Sequence, residues 1–128
     1  MSKQSIFLSM VFFLTTSIVY AEAEFDFETL METIDTNTHN LQDSITNKDT
    51  ATATQLATDI QKEFKQVEGF FAQRGNADDA VTDAKQYEDM AADIVKFIAA
   101  NNFDAAANKA IDMSKACDTA CHDTYKPL

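Results

Sequence analysis

From Phe27 onward, apolar residues recur every three or four positions, the period of an α-helix that buries one face. Phe27, Leu30, Met31, Ile34, Thr38, Leu41 and Ile45 mark a first helix over about residues 27–46, with Asp26 placed to cap its open N–H groups and Asn47 to end it. Leu56, Ile60, Phe64, Val67, Phe70 and Phe71 mark a second over about 50–74, closed by Gly75. Ala80, Ala84, Tyr87, Ala91, Ile94 and Ile98 mark a third over about 77–100. Asn76 is its expected N-cap, Asp79 stands three residues on as in a capping box, and Asn101 and Asn102 break it. A fourth is expected over about 103–125, capped by Asn102, with Ala106, Ala110, Met113, Cys117, Cys121 and Tyr125 along one side and Pro127 beyond its end. Four helices of similar length joined by connections of a few residues make antiparallel neighbours, so the pattern predicts an all-α, up-down-up-down four-helix bundle.

Two glycines and one proline leave few breakers, which agrees with long helices. The alanines of the fourth helix allow two readings. Small side chains beside Cys117 and Cys121 could leave space for a flat, large ligand, or they could let two helix backbones approach closely.

Residues 1–23 stand apart. Lys3 gives a positive start, Ile6 to Tyr20 is mostly apolar or small, and Ala21-Glu22-Ala23 has the small-x-small pattern of a cleavage site. An apolar run of about 15 residues is short of the roughly 20 needed to span a bilayer. The segment reads as a secretory signal peptide, so residues 24–128 are expected to form one exported, periplasmic domain that does not remain in the membrane.

The formal net charge of −11 argues against nucleic acid and anionic membranes as partners, because both are polyanions, and favours a protein partner with a basic face. Only two cysteines are present, both in one short stretch, so the several disulfides that staple many small exported folds are absent.

That stretch, Cys117-Asp118-Thr119-Ala120-Cys121-His122, carries the most chemistry in the chain. Covalent haem attachment of the c type needs two thiols to add across the two vinyl groups and an adjacent histidine to ligate iron. C-x-x-C-H supplies them, and here there is one residue more. On a helix the thiols then sit at i and i+4, one turn apart on one face, with His122 next to Cys121. A disulfide between them would be strained, because Cβ vectors one turn apart on a helix diverge. A zinc site lacks a fourth ligand, since the other histidine is His39 alone. The reading is one covalent haem c, held through Cys117 and Cys121 and ligated by His122.

The run from Ala116-Cys117 through Cys121-His122 to Tyr125-Lys126, at the end of a four-helix chain, resembles the C-terminal haem motif of the class II cytochromes c, the cytochrome c′ family: C-x-x-C-H-x-x-Y followed by a basic residue. The stretch from Asp26 to Ile34 is similar to the first helix of the periplasmic b-type cytochrome that shares that fold. The resemblance implies a haem between the start of helix one and the end of helix four. It implies Met31 as second axial ligand opposite His122, Tyr125 packed on the haem, and Lys126 at a propionate. A homodimer through the first two helices is a further implication.

With Met31 on iron, the resemblance implies an electron carrier that meets redox partner proteins. With Leu30 or Ile34 walling that face instead, it implies a five-coordinate haem that binds nitric oxide or carbon monoxide. His39, about 80° around the helix and some two turns further along, reads as a solvated surface histidine rather than a rival ligand. A haem-free bundle that binds a protein through its acidic faces is the reading from a different class. The carboxylates form no acid–base pair and no nucleophile or phosphate-binding motif occurs, so enzymatic turnover is not expected.

Overall fold

The computed structural model describes residues 25–119, all of them helical or in short connections. The helices are α1 (Phe27–Thr46), α2 (Thr50–Arg74), α3 (Asp78–Ala99) and α4 (Phe103–Cys117). Among the described residues α1 packs on α2 and α4, and α3 packs on α2 and α4, with no close backbone approach across either diagonal. This is a four-helix bundle around a single core. The signal peptide expected over residues 1–23 and the site residues Cys121, His122, Tyr125 and Lys126 lie outside the described residues.

Helix starts follow from local chemistry. Asp26 Oδ1 accepts from the Glu28 and Thr29 N–H groups at 3.1 and 3.2 Å, and its hydrogen bonds, led by the one from the Thr29 hydroxyl, hold its carboxyl below the usual range. Asp49 caps α2 through the Thr52 N–H, and Asn102 caps α4 through the Ala105 N–H. The start of α3 differs from the expectation. Asn76 has φ 54° and takes part in the turn, Ala77 is the cap residue, and no side chain closes the helix. With Gly75 at φ 73° and Asn76 both left-handed, the asparagine side chain is no longer at the cap position. Asp78 and Asp79 in the first turn complement the helix dipole instead. At the end of α1 the left-handed residue is Lys48 (φ 55°), one position after the predicted Asn47.

The predicted inward stripe of α3 is buried at every position, and so are Ala106, Ala110, Met113 and Cys117 on α4. On α4, Ala106 and Ala110 are fully buried, as are Ala53, Ala57, Ala84 and Ala91 on its neighbours, so the backbones approach closely at these positions; beside the cysteines, Ala116 is only partly buried and Ala120 lies outside the described residues. On α1, Ile34, Leu41 and Ile45 are buried, whereas Phe27, Leu30 and Met31 are half-buried at its start. Surface ion pairs such as Lys85–Asp89 at 2.6 Å link residues of one helix only, so they contribute little to holding the helices together.

One polar group interrupts the α1–α2 seam. Asn37 Nδ2 donates to Glu63 Oε1 at 2.7 Å, while Oε2 is buried with no hydrogen-bond partner. Burial pushes the Glu63 carboxyl above its ordinary value of 4.5. In the pH window just above 4.5 the folded chain therefore holds more of this proton than the unfolded chain does, so this contribution to stability falls as pH rises through the window. Urea unfolding of wild type and Glu63→Gln should show it: from about pH 4 to 7 the stability of the variant should rise relative to wild type.

Candidate functional site

The site builds from two helix ends. The half-buried first turns of α1 place Met31 and Ile34 on the seam with α4, where the end of α4 presents Ser114, Cys117 and Asp118. These residues, with Asp35 and Thr38, line one cleft between α1 and α4. Among the described residues the α1–α4 seam is the most thinly packed of the four. The cleft itself encloses about 20 Å³, room for roughly one water molecule. Its two sulfur-bearing side chains are the candidates from the two ends of the chain: Met31, half-buried, and Cys117, 9 % exposed.

Three hydroxyl groups shape this region. Thr38 Oγ1 donates to the Ile34 carbonyl at 2.7 Å, so the polar group is satisfied within α1. Thr119 Oγ1 donates to the Lys115 carbonyl at 3.0 Å. Tyr87, 2 % exposed on α3, donates to the Ala116 carbonyl at 3.0 Å and packs its ring on Phe64 at 5.2 Å. The Tyr87 bond ties the last turn of α4 to α3 one residue before Cys117. Tyr87→Phe should cost about 1 kcal/mol in a denaturant titration, the worth of one such bond.

Next to the cleft, the start of α1 meets the end of α2 in an aromatic group. Phe27 stacks on Phe70 at 4.3 Å and meets Phe71 edge-on at 5.5 Å, and Phe25, 48 % exposed, covers Phe70 at 5.7 Å. The α1 start is thus apolar on the side that meets α2.

His39 is on the surface, as expected from its register. Its Nδ1–H donates to the Asp35 carbonyl at 2.9 Å, and that bond, with the Asp35 carboxylate, raises the imidazole pKa. The Asp118 carboxylate adds a smaller contribution in the same direction.

The structure brings Met31 and Cys117 together; Cys121, His122, Tyr125 and Lys126 fall outside the described residues. The sequence reading missed Asp35 and Ser114 as cleft residues, because exposed polar positions at the edge of a stripe carry no hydropathy signal. It also missed the Tyr87 hydroxyl, hidden in a residue that reads as core. Among the described residues no three His, Cys, Asp or Glu side chains converge to hold a metal ion, and no helix is long and apolar enough to cross a membrane. Comparison with protein-family models, with curated proteins and with solved structures finds no match for this chain.

Proposed function

We propose that this chain is an exported, periplasmic electron-transfer protein that carries one covalent haem c on Cys117 and Cys121, with iron between His122 and Met31. The observation that carries the reading is the shared cleft: the first cysteine of the C-x-x-x-C-H stretch and the methionine at the other end of the chain line the same space. That pairing is what an antiparallel up-down-up-down order of α1 and α4 produces.

The register supports Met31 over His39. Cys117 shares the cleft with Ile34 and Asp35, near the middle of its α1 wall. Met31, towards the α1 start, lines that wall and His39 does not. The aromatic group around Phe27 supplies an apolar wall at that end.

Haem is far larger than this one-water cleft, so binding it would part the ends of α1 and α4; once held it would supply a one-electron couple whose potential follows from axial ligation and burial. The residues have separate tasks. Cys117 and Cys121 anchor, His122 and Met31 set the coordination, and Ile34 with the phenylalanines excludes water. Lys126 would meet a propionate and Tyr125 would pack on the ring, as the resemblance implies. The acidic surface selects a redox partner with a basic docking face. Acid extraction of the exported protein followed by an absorbance scan tests the reading: covalent haem stays with the chain, and a colourless chain would refute it. Cys121→Ala should leave at most one thioether and reduce retained haem.

A further inference from the structure

The helices share their charge unequally. In α2 the Lys and Arg residues equal the Asp and Glu residues in number, and in α3 Lys85 and Lys96 pair with Asp89 and Asp93 about one turn away. Helix α1 carries no Lys or Arg at all. Its Glu28, Glu32, Asp35, His39 and Asp43 are exposed and follow one another at intervals of three and four, so they form one stripe along the helix, about 80° wide. Like charges one turn apart repel, so such a stripe works against the helix that carries it. Among the described residues its one ion pair is Asp35 with His39 at 3.6 Å, and none joins it to another helix.

This stripe borders the thinly packed seam. Asp35 lines the cleft between α1 and α4, so the carboxylates run along the α4 side of α1. On α4, Ser114 and Asp118 line the same cleft, and Ile111, three residues before Ser114 and seven before Asp118, shares their face and is 41 % exposed. Half-buried Met31 is its apolar counterpart on α1. The His39 imidazole registers how the charges converge: after the Asp35 carbonyl and carboxylate, Asp118 of α4 and then Asp43 raise its pKa. The cleft has room for about one water, so contact here is made along the face and not by deep insertion.

We propose that the α1–α4 face docks a basic amphipathic helix of another protein, whose Lys and Arg side chains meet Glu28, Glu32, Asp35 and Asp43 and whose apolar stripe covers Met31 and Ile111. Helices lying side by side present charges at the same three-and-four interval, and flanking Glu–Lys pairs of this kind set partner and orientation in coiled coils. A second copy of this chain brings the same carboxylates and is repelled, and a net charge of −11 repels nucleic acid and anionic lipid. Residues 1–24 and 120–128 hold one Lys each, Lys3 and Lys126, too few to neutralise the stripe. The face is complete without haem, so the inference goes beyond electron transfer. A helix lying on it would also pass beside the proposed haem site.

The test uses the exported protein, labelled with nitrogen-15, and a synthetic helical peptide with a leucine stripe flanked by lysines as probe; a scrambled peptide of the same composition is the control. Fluorescence anisotropy of the tagged peptide measures affinity, amide shifts map the contact, and circular dichroism checks that each variant is folded. Shifts should concentrate on α1 from Glu28 to Asp43 and on α4 around Ile111, and affinity should fall as salt is added. The triple variant Glu32→Gln, Asp35→Asn, Asp43→Asn should bind roughly tenfold more weakly, whereas Asp83→Asn, Asp89→Asn, Asp93→Asn on α3, which removes as much charge, should stay within about threefold of wild type. Ile111→Ser should weaken the helical peptide and leave the scrambled one unchanged. Equal weakening by the two triple variants, equal binding of the two peptides, or shifts spread over α2 and α3 would overturn the inference. So would a dimer of this chain, seen in sedimentation and broken by Ile111→Ser. Docking by a protein without haem would sink the electron-transfer reading and uphold this inference, and a haem-loaded protein that does not dock the helical peptide would do the reverse.

Discussion

Replacing Met31 by alanine is expected to turn a coordinatively saturated iron into an open one. If its thioether is the sixth ligand, the ferric wild type has a weak charge-transfer band near the red end of the visible range, and Met31→Ala abolishes it. The reduction potential should fall, since methionine ligation favours the ferrous state. The reduced variant should bind carbon monoxide at concentrations that leave wild type unchanged. Met31 is half-buried at the edge of the cleft, so its truncation should cost less stability than a core truncation and leave the bundle folded. If wild type is already high-spin and binds carbon monoxide freely, and the variant is spectrally identical, Met31 is packing. Ile34, buried on the same cleft, then walls the iron, and gas binding replaces electron transfer.

The largest effect on stability is expected at Phe64. It is 1 % exposed, packs against Tyr87 at 5.2 Å, and sits on the α2–α3 seam, the most heavily packed of the bundle. Phe64→Ala should cost about 3–5 kcal/mol through lost burial and the cavity left behind. Against a typical total of roughly 5–15 kcal/mol, that brings a domain of this size close to unfolding at ordinary temperature. Chemical denaturation followed by circular dichroism measures it. A loss below about 1 kcal/mol would show that the core at this position relaxes to fill the gap. Because the Tyr87 ring leans on Phe64, the same change should loosen the Tyr87 to Ala116 bond, so the effects of Phe64→Ala and Tyr87→Phe should not add.

The helices were legible in the sequence because large apolar side chains at a helical period leave few alternatives. Phe27–Thr46 and Thr50–Arg74 begin and end where the pattern and the caps place them. Departures occur where backbone geometry rather than hydropathy decides. Asn76 looks like a cap by composition, yet a left-handed turn shared with Gly75 moves the cap to Ala77. Ala53 and Ala57 are fully buried but carry too little hydropathy to stand out from the threonines around them. Glu63 reads as a surface residue at the edge of its stripe, and only the packing of α1 on α2 buries one of its oxygens.

The candidate site was legible in a different way. Cysteine and histidine spacing names a chemistry independently of folding, and Met31 entered through resemblance rather than pattern. What the structure adds is adjacency: Met31 and Cys117, near opposite ends of the bundle's chain, line one cleft. The contribution of Asp118 to the raised His39 pKa, smaller than those of the Asp35 carbonyl and carboxylate, was hidden, since it depends on how far α4 extends alongside α1.

The most direct measurement is the intact mass of the protein recovered from the periplasm of a bacterial host that matures c-type cytochromes. The account predicts a single species equal to the chain from residue 24 to 128 plus one haem, with the haem retained in acid and organic solvent. The His122→Ala variant should lose the native spectrum even where a thioether persists. A mass equal to the processed chain alone, with no haem bound, would contradict the account and return the protein to the class of helical bundles that bind another protein through an acidic face.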